Sequence, residues 1–171
     1  MGGTDGSTGQ AWALFYLEHR QALTAYALSL TGNAHDAEDL IQEVLVNIVR
    51  QDRPVRSAKP YVLRSMRNLA CDHGRANRAR PRAATLDGVE VACVDAMLDD
   101  PSRRELAHAV RQALVSLEPA AVEVIVLKVY CDLTFQDIAA VLDRPMGTVT
   151  SHYARGLAKL RTVLEQELNY A

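Results

Sequence analysis

Aromatic residues make up only 5% of this chain of 171 residues, and signals for membrane insertion or secretion are missing from it. No run of eighteen apolar residues occurs, which excludes an ordinary transmembrane helix. The opening segment MGGTDGSTGQ has neither the basic nor the apolar region of a signal peptide, and we expect residues 1–10 to form a disordered tail. These absences predict a soluble, cytoplasmic protein without membrane insertion.

Motifs for metal binding and catalysis are also missing. The three cysteines, Cys71, Cys93 and Cys131, are widely separated, and neither a CxxC nor a HxxxC spacing is present. No glycine-rich phosphate loop occurs, no acid and base pair clusters, and the five histidines are scattered. We therefore expect reduced structural thiols, no metal, no cofactor and no enzymatic activity.

Basic residues are nearly absent from two long segments and concentrated in a third. Residues 1–49 hold one basic and six acidic residues, whereas residues 50–82 hold ten basic and two acidic residues. Residues 83–100 hold five acidic residues and no lysine or arginine. This segregation favours one surface for a polyanion and another for a basic or polar protein partner, although solvated helix faces would also give runs of like charge.

Hydrophobic periodicity predicts helices almost throughout, with no alternating strands. Three helices form a first bundle over residues 11–78, the third of them from about Pro60 to Arg78. Residues 79–101 lose the periodicity and are small, polar and acidic, which indicates a flexible acidic linker. Further helices form a second bundle over residues 102–168. The predicted fold class is all-α, with two small helical bundles joined by that linker.

The last two helices of the chain have the pattern of a helix-turn-helix. Thr134 is the expected N-cap of the first, with Asp137 three residues later as in a capping box, and a short DRP connection leads to the second. A plain helical hairpin would share these features. Polar and basic residues without an acid lie together opposite the apolar stripe of the second helix, as suits a major groove: Thr148, Ser151, His152, Arg155 and Lys159.

The basic segment RSMRNLACDHGRANRAR, residues 64–80, has its arginines on one arc of the third helix. Those in the arc are Arg64, Arg67, Arg75 and Arg78, with Asn68 and Asp72 at its border. An anionic membrane or an acidic partner could also bind such a helix, but its apolar side lacks large aromatic residues and is needed for the bundle core. Gly74 costs roughly 1 kcal/mol in a helix interior, so a kink or an early end near Gly74 stays an alternative.

Three segments together resemble a known family. DAEDLIQEVLVNI is similar to the second region of bacterial sigma factors, and KPYVLRSMRNLACDHGRANR is similar to the promoter-melting helix that follows it. The segment from ALVSLEP to GLAKLR is similar to their fourth region. With these two regions and a short spacer, residues 11–168 resemble the extracytoplasmic-function (ECF) group of RNA polymerase sigma factors.

This resemblance implies partners and roles for individual residues. The β′ coiled coil of core RNA polymerase would bind Asp36, Asp39, Gln42 and Glu43, and the β flap would bind the fourth region. The melted minus-ten element would contact Arg64, Arg67, Asn68, Asp72, Arg75 and Arg78, with a flipped base at Asn68 and Asp72. The duplex minus-thirty-five element would contact Thr148, Ser151, His152, Arg155 and Lys159. Many family members are held by an anti-sigma factor, although nothing in this sequence identifies one.

Each of these roles has a simpler alternative. The carboxylates of Asp36 and Asp39 would also complement the dipole of their helix, and Asn68 could be a solvated residue. Thr150 and His152 stand where the family has basic residues, which makes the duplex-binding face less cationic. A free-standing helix-turn-helix repressor or activator is the alternative function, but it would need neither the DLIQE segment nor the acidic linker.

Overall fold

The computed structural model describes residues 5–51, 57–76, 110 and 113–169. Its helices are α1 (Asp5–Thr31), α2 (Ala34–Gln51), α3 (Ala58–Ala76), α4 (Pro119–Val129), α5 (Phe135–Leu142) and α6 (Met146–Asn169). Residues 110 and 113–115 are also helical, and no strand occurs among the described residues. The all-α prediction is confirmed. The predicted linker, residues 79–101, lies outside the described residues.

The first helix begins earlier than the periodicity predicts. Residues 5–10 are helical, so the prediction of a disordered tail over residues 1–10 is wrong for these six positions, and residues 1–4 lie outside the described residues. Once Trp12 and Phe15 pack against the core, each further helical residue adds a hydrogen bond without a new nucleation cost.

A tight corner joins α1 to α2 and sets the position of the acidic helix. Gly32 has a positive φ of 80°, and its amide donates to the Leu28 carbonyl, which closes α1. Asn33 then caps α2: its Oδ1 accepts from the Asp36 amide at 2.9 Å, and its Nδ2 donates to Asp36 Oδ2 at 2.7 Å. This corner is the sequence TGN, Thr31 to Asn33.

The third helix runs through Gly74 rather than ending there. It begins at Ala58, two residues before the predicted start at Pro60, and includes Ala76, whereas the predicted end at Arg78 lies outside the described residues. Met66, Leu63 and Val62 are buried against the other two helices of the bundle. Packing of this apolar side compensates for the low helix propensity of Gly74, so Arg75 is part of the helix, while Arg78 lies outside the described residues.

The second bundle contains the predicted helix-turn-helix. The Thr134 hydroxyl accepts from the Asp137 amide at 3.1 Å, and the Asp137 carboxylate accepts from the Thr134 amide, which completes the capping box. Asp143 ends α5 in the left-handed region at φ 52°, and α6 begins at Met146. Val149 at the start of α6 is fully buried.

The two bundles share one hydrophobic core. Helix α4 is apolar on nearly all sides. It packs against α6 and α5 of its own bundle and against α1 of the first, as a helix of this composition requires. Helix α5 packs against α3. The second bundle therefore lies directly on the helix that carries the basic segment.

Gly156 allows α6 to approach α4 closely. A Cβ at this position would lie 2.8 Å from Ile125 Cδ1 and 3.3 Å from Ala121 Cβ, whereas a Cβ at Gly147 would meet nothing within 4 Å. We expect Gly156→Val to lower the free energy of unfolding by about 1–3 kcal/mol through overpacking. Gly147→Val, the control, should change it by less than about 0.5 kcal/mol. Urea unfolding measures both, and equal effects would contradict this account of Gly156.

Candidate polymerase and nucleic-acid interfaces

The exposed face of α2 carries the acidic side chains expected to bind a basic partner. Asp36, Asp39, Gln42 and Glu43 are all exposed, but Asp36 is engaged in the helix cap with Asn33. Two of the others have histidine neighbours: His35 Nε2 lies 3.7 Å from Asp39 Oδ2, and His73 Nε2 of α3 lies 3.4 Å from Glu43 Oε2. The structure thus places Asp39, Gln42 and Glu43 together on one accessible surface.

An apolar groove adjoins this acidic face. It has a volume of about 400 Å³ between α1 and α2 and is lined mainly by Trp12, Ala13, Tyr16, Leu45, Val46 and Val49. Val46 is 46% exposed although it is a large aliphatic residue. Sequence reasoning missed this groove. The signal in the sequence was that Val46 and Val49 are apolar although they lie outside the buried side of α2.

The basic helix α3 presents two different sides. Asn68 and Asp72 line a polar cavity of about 240 Å³ between α2 and α3, together with Asn47, Gln51, Tyr61 and Ser65. Tyr61 Oη donates to Gln51 Oε1 at 3.3 Å, which connects the two walls. Arg64 is exposed, whereas the side chain of Arg67 is only 22% exposed. Nothing is described for the side chains of Arg75 and Arg78.

Arg67 is paired with a carboxylate from the second bundle. Glu123 Oε1 of α4 accepts from Arg67 Nε at 3.1 Å and from Tyr26 Oη of α1 at 3.0 Å. Burial lowers the pKa of Arg67, but the charge of Glu123 raises it, and the net shift is upward. Burial, with Glu123 adding to it, raises the pKa of Tyr26 well above its ordinary value, so the phenol stays a donor. Sequence reasoning missed both Tyr26 and Glu123.

A second polar contact crosses between the bundles at the end of α4. The Cys131 thiol donates to the Ala22 carbonyl of α1, with 3.6 Å between sulfur and oxygen, and Cys131 is fully buried. Burial raises the pKa of this thiol from 9.0 to about 12, although the charge of Lys59 opposes the shift. The expectation of a reduced structural thiol therefore fits Cys131, whereas Cys71 is exposed.

The helix α6 carries the predicted DNA-reading residues between Thr148 and Lys159. Ser151, Arg155 and Lys159 are exposed, and Thr148 and His152 are partly buried. Arg155 Nη2 lies 3.5 Å from His152 Nδ1, so the two side chains form a local pair. Lys159 Nζ donates to the Ser116 carbonyl, and Ser151 Oγ donates to the Gly147 carbonyl at 2.8 Å. The five positions lie on one side of α6, but Lys159 also holds the turn at Ser116 that precedes α4.

Metal and membrane features can be judged for the described part of the chain. There, no group of three or more histidine, cysteine, aspartate or glutamate side chains could hold a metal ion. No helix in the same ranges has the length and apolar character needed to cross a membrane.

Comparison with known proteins agrees with the order of these surfaces along the chain. Residues 15–80 match the family model described as Sigma-70 region 2, and residues 107–160 match the one described as Sigma-70, region 4. A relative is the RNA polymerase sigma-E factor of Streptomyces avermitilis, 31% identical over 156 residues, covering 88% of this chain and 83% of the relative. The chain belongs to the ECF sigma factor family. Its members are DNA-binding transcription initiation factors.

Two further comparisons place this sigma factor among its relatives. The ECF RNA polymerase sigma factor SigE of Mycolicibacterium smegmatis is 31% identical over 166 residues, which cover 90% of this chain but 62% of that protein. The chain thus spans less than two thirds of the length of this relative. The sigma factor RpoE of Bartonella quintana, solved in complex with the anti-sigma factor NepR, superimposes with a TM-score of 0.65. It is 23% identical, with 91% of this chain and 98% of that chain covered, and supports the fold.

The buried Cys131 thiol makes stability depend on alkaline pH. Because its pKa is raised in the folded state, its contribution is complete below pH 9 and is lost as the pH rises towards 12. We expect the free energy of unfolding to fall over this range, with up to about 1.4 kcal/mol per pH unit due to this thiol. Cys131→Ala should have a shallower dependence in urea titrations. Cys71→Ala, at an exposed position, should keep the wild-type slope, and equal slopes for both variants would contradict the assignment.

Proposed function

We propose that this ECF sigma factor binds core RNA polymerase through the acidic face of α2 and directs the complex to its promoters. The observation that carries the proposal is the exposed set Asp39, Gln42 and Glu43 beside the apolar groove at Val46. Carboxylates next to an accessible aliphatic surface suit a partner helix with basic and apolar residues. The β′ coiled coil is the proposed partner of this face, and the β flap that of the second bundle.

The polar cavity between α2 and α3 is the proposed site for a base of the melted minus-ten element. Its wall residues Asn68, Asn47 and Gln51 carry amides, which can donate to and accept from the edge of an unpaired base. Tyr61 adds an aromatic ring on which a base can stack. Arg64, Arg67, Arg75 and Arg78 are the proposed phosphate ligands around it.

The first half of α6 is the proposed reader of the minus-thirty-five element. Side chains near the start of a recognition helix reach base edges, while later cations hold phosphates. Thr148, Ser151 and His152 therefore receive the base-reading role, and Arg155 and Lys159 the phosphate role. The sigma factor itself needs no catalytic site, because the polymerase makes RNA.

Regulation by an anti-sigma factor is part of the proposal. The structural neighbour from Bartonella quintana was solved with such a protein. The apolar groove beside Trp12 and Val46 offers this sigma factor an accessible surface for a partner of that kind.

One experiment separates this function from that of a free-standing repressor. Purified protein is mixed with core polymerase, and complex formation and promoter-dependent transcription are measured on genomic fragments. A sigma factor forms the complex and starts transcription at defined sites only in its presence. Tight binding of the protein alone to duplex DNA, without association with core enzyme, would favour the repressor.

The acidic face of α2 can be tested by charge removal. We expect Asp39→Ala combined with Glu43→Ala to weaken binding to core polymerase by about tenfold or more, because two charges that meet a basic partner are lost. Glu38→Ala removes an exposed carboxylate of the same helix that lies outside the proposed surface. Titration of labelled protein with core enzyme gives both affinities. A similar loss in the control would indicate a general charge effect.

The division of roles on α6 predicts two different signatures on duplex DNA. Ser151→Ala should cost about 1–3 kcal/mol at one promoter position and relax the preference there. Arg155→Ala should weaken binding to all sequences alike and lower the salt dependence by about one phosphate contact. Both are measured with the polymerase complex on promoter variants at several salt concentrations. An effect of Arg155→Ala confined to one base pair would reverse its assigned role.

A further inference from the structure

The contact between the two bundles engages Arg67, a residue to which the proposed function assigns DNA binding. Arg67 belongs to the arginine arc of α3, yet its guanidinium is bonded to Glu123 of α4. A carboxylate and a phosphate oxygen are both anionic acceptors for arginine, so the two compete for the same donor group. Arg64, one helical turn earlier, stays exposed.

We propose that the Glu123 carboxylate acts as an intramolecular substitute for a DNA phosphate and holds the sigma factor in a closed, autoinhibited arrangement. In this state α4 and α5 lie over α1 and α3, and Arg67 is withdrawn from the arc. Binding of the melted strand requires the two bundles to separate. The proposal rests on the proposed role of Arg67 as a phosphate ligand.

The geometry around Glu123 makes the closed state specific. The same carboxylate oxygen accepts from Arg67 at 3.1 Å and from Tyr26 at 3.0 Å, one donor from each of two helices of the first bundle. The side chains of Arg67 and Glu123 are 22% and 20% exposed, so water screens the pair only partly. Tyr26 is fully buried, and among described residues no buried polar side-chain atom lacks a partner.

The contact is also loose enough to open. A cleft of about 790 Å³ lies between the bundles beside the ion pair, and residues of both line it, among them Arg67, Cys71, Glu118 and Glu123. Close packing is what makes a protein interior hard to separate, and it is interrupted here. The apolar packing of α4 against α1 and of α5 against α3 opposes separation, so the unpacked cleft beside the ion pair is the part of the contact where opening would begin.

Cys131 supplies a direct measure of opening, because its thiol is bonded to the Ala22 carbonyl across the contact. The full chain with Cys71→Ser and Cys93→Ser retains Cys131 as its only cysteine. In this background we expect Glu123→Gln to raise the alkylation rate of Cys131 by about tenfold, because loss of the charged acceptor increases the open population. Glu118→Gln, which removes a charge from the same cleft, should leave the rate unchanged.

Affinity for a single strand tests the competition itself. The probe is a labelled oligothymidylate of about 12 nucleotides, since phosphate contacts do not depend on sequence. Glu123→Gln should tighten its binding by about fivefold more than Glu118→Gln does, although both variants lose one negative charge. Adding Arg67→Gln to Glu123→Gln should remove that gain.

Two results would overturn the proposal. One is Cys131 alkylation in Glu123→Gln no faster than in Glu118→Gln, and the other is an equal gain of oligothymidylate affinity in these two variants. If Glu123→Gln does not fold, as urea unfolding would reveal, Arg67→Gln breaks the same pair and must accelerate alkylation. Transcription with core polymerase is scored separately, so an unchanged alkylation rate with normal transcription rejects the closed state and leaves the proposed function intact.

Discussion

The Glu123 carboxylate, held between Tyr26 and Arg67, determines how the two halves of this sigma factor meet. A partly buried carboxylate loses much of its hydration, and this cost is offset only where donors reach it in good geometry. Here the donors come from α1 and α3, while the acceptor is on α4. The three side chains therefore fix the position of α4 along both helices, and the surrounding apolar residues pack around that arrangement.

One helix, α3, serves surfaces with opposite requirements. Its apolar side fills the first bundle with Leu63 and Met66, and Asn68 lines the polar cavity toward α2. Arg67, only one residue before Asn68, points to the second bundle because successive residues are about 100° apart on a helix. The polar cavity proposed for a base stays accessible in the closed state, whereas the adjacent Arg67 does not. Closure would thus affect the proposed phosphate contact of Arg67 more than the proposed base site.

Local patterns were sufficient to predict the helices and their caps. The TGN corner, the Thr134 capping box and the buried stripe of α2 all depend on residues a few positions apart, where propensity and periodicity decide the outcome. The sequence did not predict that residues 5–10 are helical, because their composition is typical of a tail and their order depends on packing farther along α1. The exposed positions on α2 and α6 were also found, yet their roles remain predictions.

The packing of the bundles could not be predicted, since its polar contacts join residues 56 to 109 positions apart. Periodicity predicts a stripe of Val122, Ile125, Val126 and Val129 on α4. A signal was nevertheless present, because the apolar Val124 and Leu127 lie outside this stripe; both are buried, whereas Val129 is 58% exposed. A helix that is apolar on all sides requires partners on all sides. A buried ion pair contributes little net stability over apolar packing, but removing one partner is costly. Tyr26, Arg67 and Glu123 therefore specify the closed arrangement without making it permanent.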